Sequence, residues 1–384
     1  MKVLKILLVV TASGIALSYI LGLGYIYRAL YYTYFRGETT ATIDDGKFFP
    51  KNVITAINPV PWQKDTLYNT LKLPKALERS LRKNKTISFL VIKDGKLLLE
   101  RYWGNYNKDS LTNSFSMAKG VTALLLGAAI DDKLIISENE LFSNFYESYA
   151  QVKYGKELTL KDLVTMEAGL DWKEEYYSPF SPNTKAYYGK SLAETVFLRG
   201  FKQPPGKTFE YQSGATQLLG FALRKSVNKP LAYYTAEKLW NPLGMEKSAS
   251  WATDDNRMEK TFCCIQAVAR DYAKLGQLML NKGKSGGKQV INENYINKMI
   301  TPTRASRGAY GYGLWINNDV ENKHYYFLGF LGQFVIVVPE QNLVIVRTGK
   351  SFDEKKDDKE RPVFARFMAD QVVDFINSVY KNGL

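Results

Sequence analysis

Ser116 and Lys119, three residues apart at the head of an unbroken apolar run, constrain this chain more than any other feature. The segment Asn113-Ser114-Phe115-Ser116-Met117-Ala118-Lys119-Gly120 leads directly into Val121 to Ile130. Asn113 or Ser114 suits the cap of a helix whose first turn holds Ser116. A spacing of three places the hydroxyl and the amine on one helix face. Behind them Leu124, Leu125, Leu126, Ala128, Ala129 and Ile130 leave no wet side, so the helix is expected to be buried nearly all round. A buried helix that presents a Ser and a Lys at the positive end of its dipole is the expected seat of a reactive hydroxyl. Ser-x-x-Lys recurs at Ser80/Lys83, Ser226/Lys229, Ser285/Lys288 and Ser378/Lys381, but none of these precedes such a run.

The N-terminus imposes a second constraint. Ile6 to Ile26 is a run of 21 residues without a charge, long enough to span a bilayer. Lys2 and Lys5 precede it, and Arg28 and Arg36 follow among Tyr25, Tyr27, Tyr31, Tyr32 and Tyr34, the pattern of an interfacial belt. No small-x-small cleavage site closes the run, so residues 1–36 read as an uncleaved signal anchor or transmembrane segment. The expected orientation is N-terminus inside and the bulk of the chain outside the cytoplasm, at the inner-membrane or periplasmic face in a bacterium. Residues 37–73, with Pro50, Pro59 and Pro61 and little periodicity, read as a linker. Residues 74–384 then form one domain.

A formal charge of +14 over 384 residues could point to nucleic acid. The basic residues are scattered, however, and no nucleic-acid module is recognisable, so attraction to an anionic envelope is the inference and no nucleic-acid partner is expected. Cys263 and Cys264 are adjacent, which rules out a long-range disulfide framework; they read as buried small hydrophobes. His324 is the single histidine, so a His-based zinc site is not expected, and neither a metal nor a cofactor is implied.

Pattern reading places a helix at Pro74 to Lys85 and a hairpin of Ile87 to Ile92 and Lys96 to Trp103 across Lys93-Asp94-Gly95. Helical patterns dominate from about 120 to 300. Strands return at Tyr312 to Ile316, Tyr325 to Leu328, Gln333 to Val338 and Leu343 to Thr348, and Arg361 to Tyr380 closes the chain as a helix. The economical solution is an α+β fold: one antiparallel sheet of five strands, or slightly more, built from both ends of the chain, flanked by terminal helices and interrupted by a mostly helical subdomain.

A serine hydroxyl is a poor nucleophile until a neighbour takes its proton. Without a usable histidine that neighbour is Lys119, or a tyrosine made acidic by nearby cations. Tyr211-Gln212-Ser213-Gly214 supplies the tyrosine, on a loop after Pro204-Pro205-Gly206 and before the apolar stretch Ala215 to Leu223.

Ser116-Met117-Ala118-Lys119, then Tyr211-Gln212-Ser213, then Gly329-Phe330-Leu331-Gly332-Gln333 before a strand, together resemble the serine β-lactamase and penicillin-recognising family. The class C branch with its esterases is most similar. Leu158 to Met166, Ala168-Gly169-Leu170-Asp171-Trp172, Glu174-Glu175-Tyr176, Ala269 to Gly276 and Gly311-Tyr312-Gly313-Leu314 lean toward the branch that includes aminohexanoate-dimer hydrolase. The resemblance implies Ser116 as acylated nucleophile and Lys119 and Tyr211 as the proton-handling pair. It makes the backbone amides of Ser116 and Gln333 an oxyanion hole, and Ser213, Tyr176, Phe330, Leu331 and Gly332 substrate-contacting positions. The third motif departs from the family: where Lys or His usually stands the chain has Phe330. β-Lactams carry a carboxylate that this cation would meet, so an uncharged ester, amide or peptide-like substrate is expected instead. The alternative is a non-catalytic member that binds cell-wall peptide or a protein partner.

Overall fold

Runs of Val, Ile, Leu and Phe too apolar to leave either side wet build the central sheet. The computed structural model describes residues 1–381. In chain order its strands are β1 (Lys51–Ile54), β2 (Thr86–Lys93), β3 (Lys96–Tyr102), β4 (Thr112–Asn113), β5 (Ala249–Ala252), β6 (Ile265–Ala267), β7 (Lys284–Ser285), β8 (Lys288–Gln289), β9 (Trp315–Asn317), β10 (His324–Gly329), β11 (Gln333–Val338) and β12 (Leu343–Gly349). The main sheet is six-stranded and antiparallel, ordered β3-β2-β12-β11-β10-β9. It joins strands from both ends of the chain, and its six strands fall within the expectation of five or slightly more.

The pleat of β11 shows how the layers divide. Val335 and Val337 face Gly276 of the Ala269–Leu280 helix, so closely that a Cβ there would sit 2.7 Å from Val335. Phe334, on the other face, meets Phe364 of the C-terminal helix Val363–Lys381 at 6.1 Å between ring centres. The first four α-helices in chain order are α1 (Lys2–Ile20), α2 (Gly24–Tyr32), α3 (Lys75–Lys83) and α4 (Met117–Asp131). Helix α4 lies on the same side as the Ala269–Leu280 helix, because Gly120 admits Phe327, the register partner of Val335. Every residue of α4 from Met117 to Ala129 is buried, as its composition requires.

A second, four-stranded sheet, β1-β5-β6-β4, was not anticipated. None of its strands exceeds four residues, too short to show alternation in sequence. It matters because β4 pairs with β6 and ends immediately before the Ser116 segment. The stretch between residues 37 and 73 supplies β1 and docks Trp62 by donating from Nε1 to the Arg270 carbonyl at 2.9 Å. Its prolines hide this packing.

The apolar N-terminal run is not one helix. Helix α1 ends at Ile20, the chain turns at Gly22 in the left-handed region, and α2 begins at Gly24. Helix α1 is 19 residues long, apolar enough to cross a membrane and without a buried residue. Helix α2 instead buries Tyr25 and Ala29 against the folded domain.

Candidate active site

The chain reaches Ser116 through a kink. Phe115 sits at φ 43°, a conformation rarely adopted by aromatic residues and a mark of stored strain where function needs it. Asn113 Oδ1 accepts from the Phe115 amide at 2.9 Å. The Ser114 side chain accepts from the Ile265 amide at 3.0 Å, and the Ser114 amide donates to the Ile265 carbonyl at 2.8 Å. Thus the small sheet clamps the segment just before the serine. The helix begins two or three residues later than expected: Ser116 itself is the cap position, with its hydroxyl making no cap bond. Asn113 and Ser114 are used to shape the approach instead. The Ser116 amide makes no hydrogen bond among the described residues.

Lys119 Nζ donates to Ser116 Oγ at 2.8 Å, to Ser213 Oγ at 3.0 Å and to the Phe262 carbonyl at 3.1 Å. It also stands 4.8 Å above the centre of the Tyr211 ring. The Tyr211 side chain lies near the Ser116 hydroxyl, which draws its pKa downward. The Ser116/Lys119 pair and the Tyr211/Ser213 pair, on segments far apart in the sequence, are therefore brought together. Burial lowers the Lys119 ammonium to about 8, against an upward pull from Glu174. Tyr211 behaves opposite to the expectation of an acidified phenol. Burial first, and the Glu174 charge second, push it well above its ordinary value. At neutral pH it is an un-ionised donor.

Glu174 is the member that sequence reading missed as a site residue. Its carboxylate accepts from the Ser213 amide (2.8 Å) and hydroxyl (2.6 Å), Tyr176 hydroxyl (2.8 Å), Trp172 Nε1 (2.9 Å) and Asn183 Nδ2 (2.8 Å). Since Ser213 donates to Glu174, its lone pairs are left for Lys119. The relay runs Lys119, Ser213, Glu174. Nothing local in sequence separates Glu174 from Glu175; its five donors come together only in the fold.

The third motif is the β10–β11 turn. Phe330 lines the site cavity and packs on Phe115 at 5.5 Å and Tyr176 at 5.0 Å between ring centres. Tyr176 and Ser213 line the same cavity. Leu331 and Gly332 do not: both adopt positive φ (61° and 78°), carrying the turn away, and Gly332 abuts Arg347 and Phe352. Gln333 is fully buried, with its amide side chain bonded to the Phe330 and Gly349 carbonyls and the Gly349 amide. His324 lies elsewhere, held between the Asn322 carbonyl and Asn317, and burial lowers it to about 4. Cys263, on the cavity wall, is joined to Cys264 by a disulfide between neighbours. Both are buried, the placement expected of them. No cluster of three His, Cys, Asp or Glu able to hold a metal occurs among the described residues.

A β-lactamase family model matches residues 75–369. The chain belongs to the β-lactamase family. The match spans most of the chain and encloses the Ser116 helix, the Tyr211 loop and the β10–β11 turn. With this family the chain is a serine hydrolase. It is 22% identical over 293 residues to the 6-aminohexanoate-dimer hydrolase of Paenarthrobacter ureafaciens, covering 71% of this chain and 74% of that protein. Among solved structures it is similar to the Bacillus anthracis protein named "Putative 6-aminohexanoate-dimer hydrolase", with TM-score 0.76 and 21% identity over 88% of this chain and 94% of that one. A family VIII carboxylesterase shares the fold at TM-score 0.58 and 17% identity, over 77% of this chain and 95% of that one.

Proposed function

We propose that this β-lactamase family member is a membrane-anchored hydrolase that cleaves an uncharged ester or amide through an acyl-enzyme on Ser116. The observation that carries the proposal is the 2.8 Å contact between a buried Lys119 amine and the Ser116 hydroxyl. Lys119, with a pKa near neutrality, takes the Oγ proton as Oγ bonds to the substrate carbonyl carbon. The free Ser116 amide and the backbone amide of Gln333 receive the oxyanion. Neutral Tyr211, beside Oγ, passes a proton to the leaving oxygen or nitrogen as the bond breaks, and the Lys119 ammonium replenishes it. Water then enters by the reverse sequence and frees the acid. Helix α1, long and apolar enough to cross a membrane, is the anchor in this reading, with residues 74–384 at the membrane surface outside the cytoplasm. Residues 37–73 run along that domain.

An ethyl fluorophosphonate probe tests this directly. Mass spectrometry is expected to find the adduct on Ser116, lost in Ser116→Ala. A well-folded protein that resists the probe would instead be the non-catalytic binder.

The pH profile makes a second check. Only neutral Lys119 can accept a proton, so kcat/KM on a short-chain p-nitrophenyl ester is expected to rise with pH through a midpoint near 8. Glu174 provides the upward pull on that pKa. Glu174→Gln is therefore expected to move the midpoint to lower pH while lowering the plateau, since one of the two carboxylate oxygens that accept from Ser213 and its neighbours becomes a donor. An unmoved midpoint would remove Glu174 from the electrostatics of the site.

A further inference from the structure

We propose that the cavity beside Ser116 is an acyl-chain site that takes a single-chain amphiphilic ester or amide directly from the bilayer. The inference rests on the Ser116 hydrolase reading and adds the substrate class. The cavity has a volume of about 360 Å³, in the range of sites that enclose small organic ligands. Its lining includes Ile26, Ala29 and Leu30 from the region after the membrane helix, residues between Tyr176 and Tyr188, and Ser116 with Phe330. Not one described residue lining it is charged. A substrate with charged ends would leave its charges unpaired there, at a cost no short contact recovers. A hydrocarbon chain has no such penalty.

The first of these segments connects the cavity to the membrane. Helix α1, exposed along its whole length, is about 28 Å long at 1.5 Å per residue, close to the hydrocarbon thickness of a bilayer. Its last turn folds onto α2: Tyr19 stacks on Tyr27 at 5.5 Å, and the Ser18 and Tyr27 hydroxyls share a hydrogen bond at 2.8 Å. Helix α2 in turn is fixed to the domain by Tyr32 stacked on Tyr188 at 6.4 Å and by Arg28 paired with Asp255 at 3.2 Å. With nine residues, α2 extends about 13 Å, so the cavity wall begins within a headgroup layer of the span. Tyr34 and Tyr177 line the cavity yet are 63% and 64% exposed, and their neighbours Phe35 and Phe180 are 82% and 70% exposed. A rim of exposed aromatic side chains is what an interfacial opening requires.

In the reaction, Ser116 Oγ bonds to the acyl carbon while the ester C–O or amide C–N bond breaks. The headgroup leaves with the proton passed on by Tyr211, and water releases the fatty acid. The test uses the full chain in phosphatidylcholine vesicles with p-nitrophenyl butanoate, octanoate and dodecanoate. Each buried methylene multiplies binding by about fourfold, so kcat/KM is expected to rise at least about tenfold from butanoate to dodecanoate. The dodecanoate/butanoate ratio is expected to fall at least about tenfold in Ala29→Trp and in Leu30→Trp. The dodecanoate is expected to turn over when it shares vesicles with the protein and far more slowly when it is supplied in separate ones. Ser116-dependent hydrolysis that is flat or declines with chain length overturns the acyl-chain site and leaves the hydrolase standing. Equal turnover from separate vesicles overturns delivery through the bilayer. Absence of both Ser116-dependent butanoate turnover and fluorophosphonate labelling removes the hydrolase reading and the inference with it.

Discussion

Lys119→Met is expected to slow acylation of Ser116 by about 10²–10⁴-fold, the range for a lost general base, while the protein stays folded. The two halves of this expectation have one cause. Lys119 is 2% exposed, and burial lowers its pKa from 10.5 to about 8. Keeping it protonated in the fold therefore costs about 3 kcal/mol relative to the unfolded chain. Met has nearly the same length and no charge, so it removes that cost; the Phe262 carbonyl loses its donor, at about 1–3 kcal/mol. The two changes roughly cancel at pH 7. They separate with pH. Below 8 the unfolded and folded chains both hold the proton and the cost is constant. From 8 to 10.5 the folded chain gives it up first, so the unfolded chain binds more protons and stability from this group rises with pH. Thermal melts across that window are expected to show the wild type gaining on Lys119→Met by about 3 kcal/mol in total. Parallel curves would mean that Lys119 is not held in a strained protonation state, and a rate near wild type would exclude it as the base.

Arg347→Leu is expected to have the largest effect on the fold, a loss of about 3–5 kcal/mol, together with at least about 10²-fold in acylation. Arg347 is fully buried and has no carboxylate partner among the described residues. Its guanidinium donates to Thr86 Oγ1 at 3.0 Å and to the carbonyls of Leu331 (2.9 Å), Gly332 (2.5 Å), Ser351 (2.6 Å) and Asn84. Burial lowers its pKa to about 9, so leucine would relieve some desolvation. Five orphaned acceptors outweigh that relief, since each costs about 1–3 kcal/mol. Two of them, Leu331 and Gly332, form the turn that delivers the Gln333 amide, which is why activity should fall with stability. Arg347→Lys cannot reach both pairs of carbonyls with one ammonium and should recover only part of either. A melt by Arg347→Leu within about 1 kcal/mol of wild type would show the turn to be held by Gln333 alone.

The parts of this fold that could be read from sequence are those with long, uniform patterns. The Ser116 helix, the β2–β3 hairpin and the strands near 325–348 each carry enough apolar residues to leave one solution. The small sheet could not be read because β4 has two residues and β6 three, and their pairing is set by partners about 150 residues away. The same holds within the site. Ser116 and Lys119 are one helical turn apart, so their meeting is local geometry; the Tyr211 loop is found by its setting before an apolar helix. Glu174 draws donors from Trp172, Tyr176, Asn183 and Ser213, on three separate segments, and no spacing rule predicts that. The sign of the Tyr211 shift was hidden for the same reason: it depends on how deeply the ring is buried and on Glu174 beside it. The disulfide of Cys263 and Cys264 is invisible because adjacency describes both reduced and oxidised pairs.

The fusion of α2 to the domain changes what a soluble version of this protein would be. A boundary drawn after Arg36, where the aromatic belt ends, would strip away Ile26, Ala29 and Leu30, which line the cavity beside the nucleophile. A boundary at Gly22, the bend between the two helices, would discard the exposed apolar helix and keep every described residue that lines the cavity. Two preparations differing by one short helix could then rank the same esters in opposite order, without a change at any reacting atom.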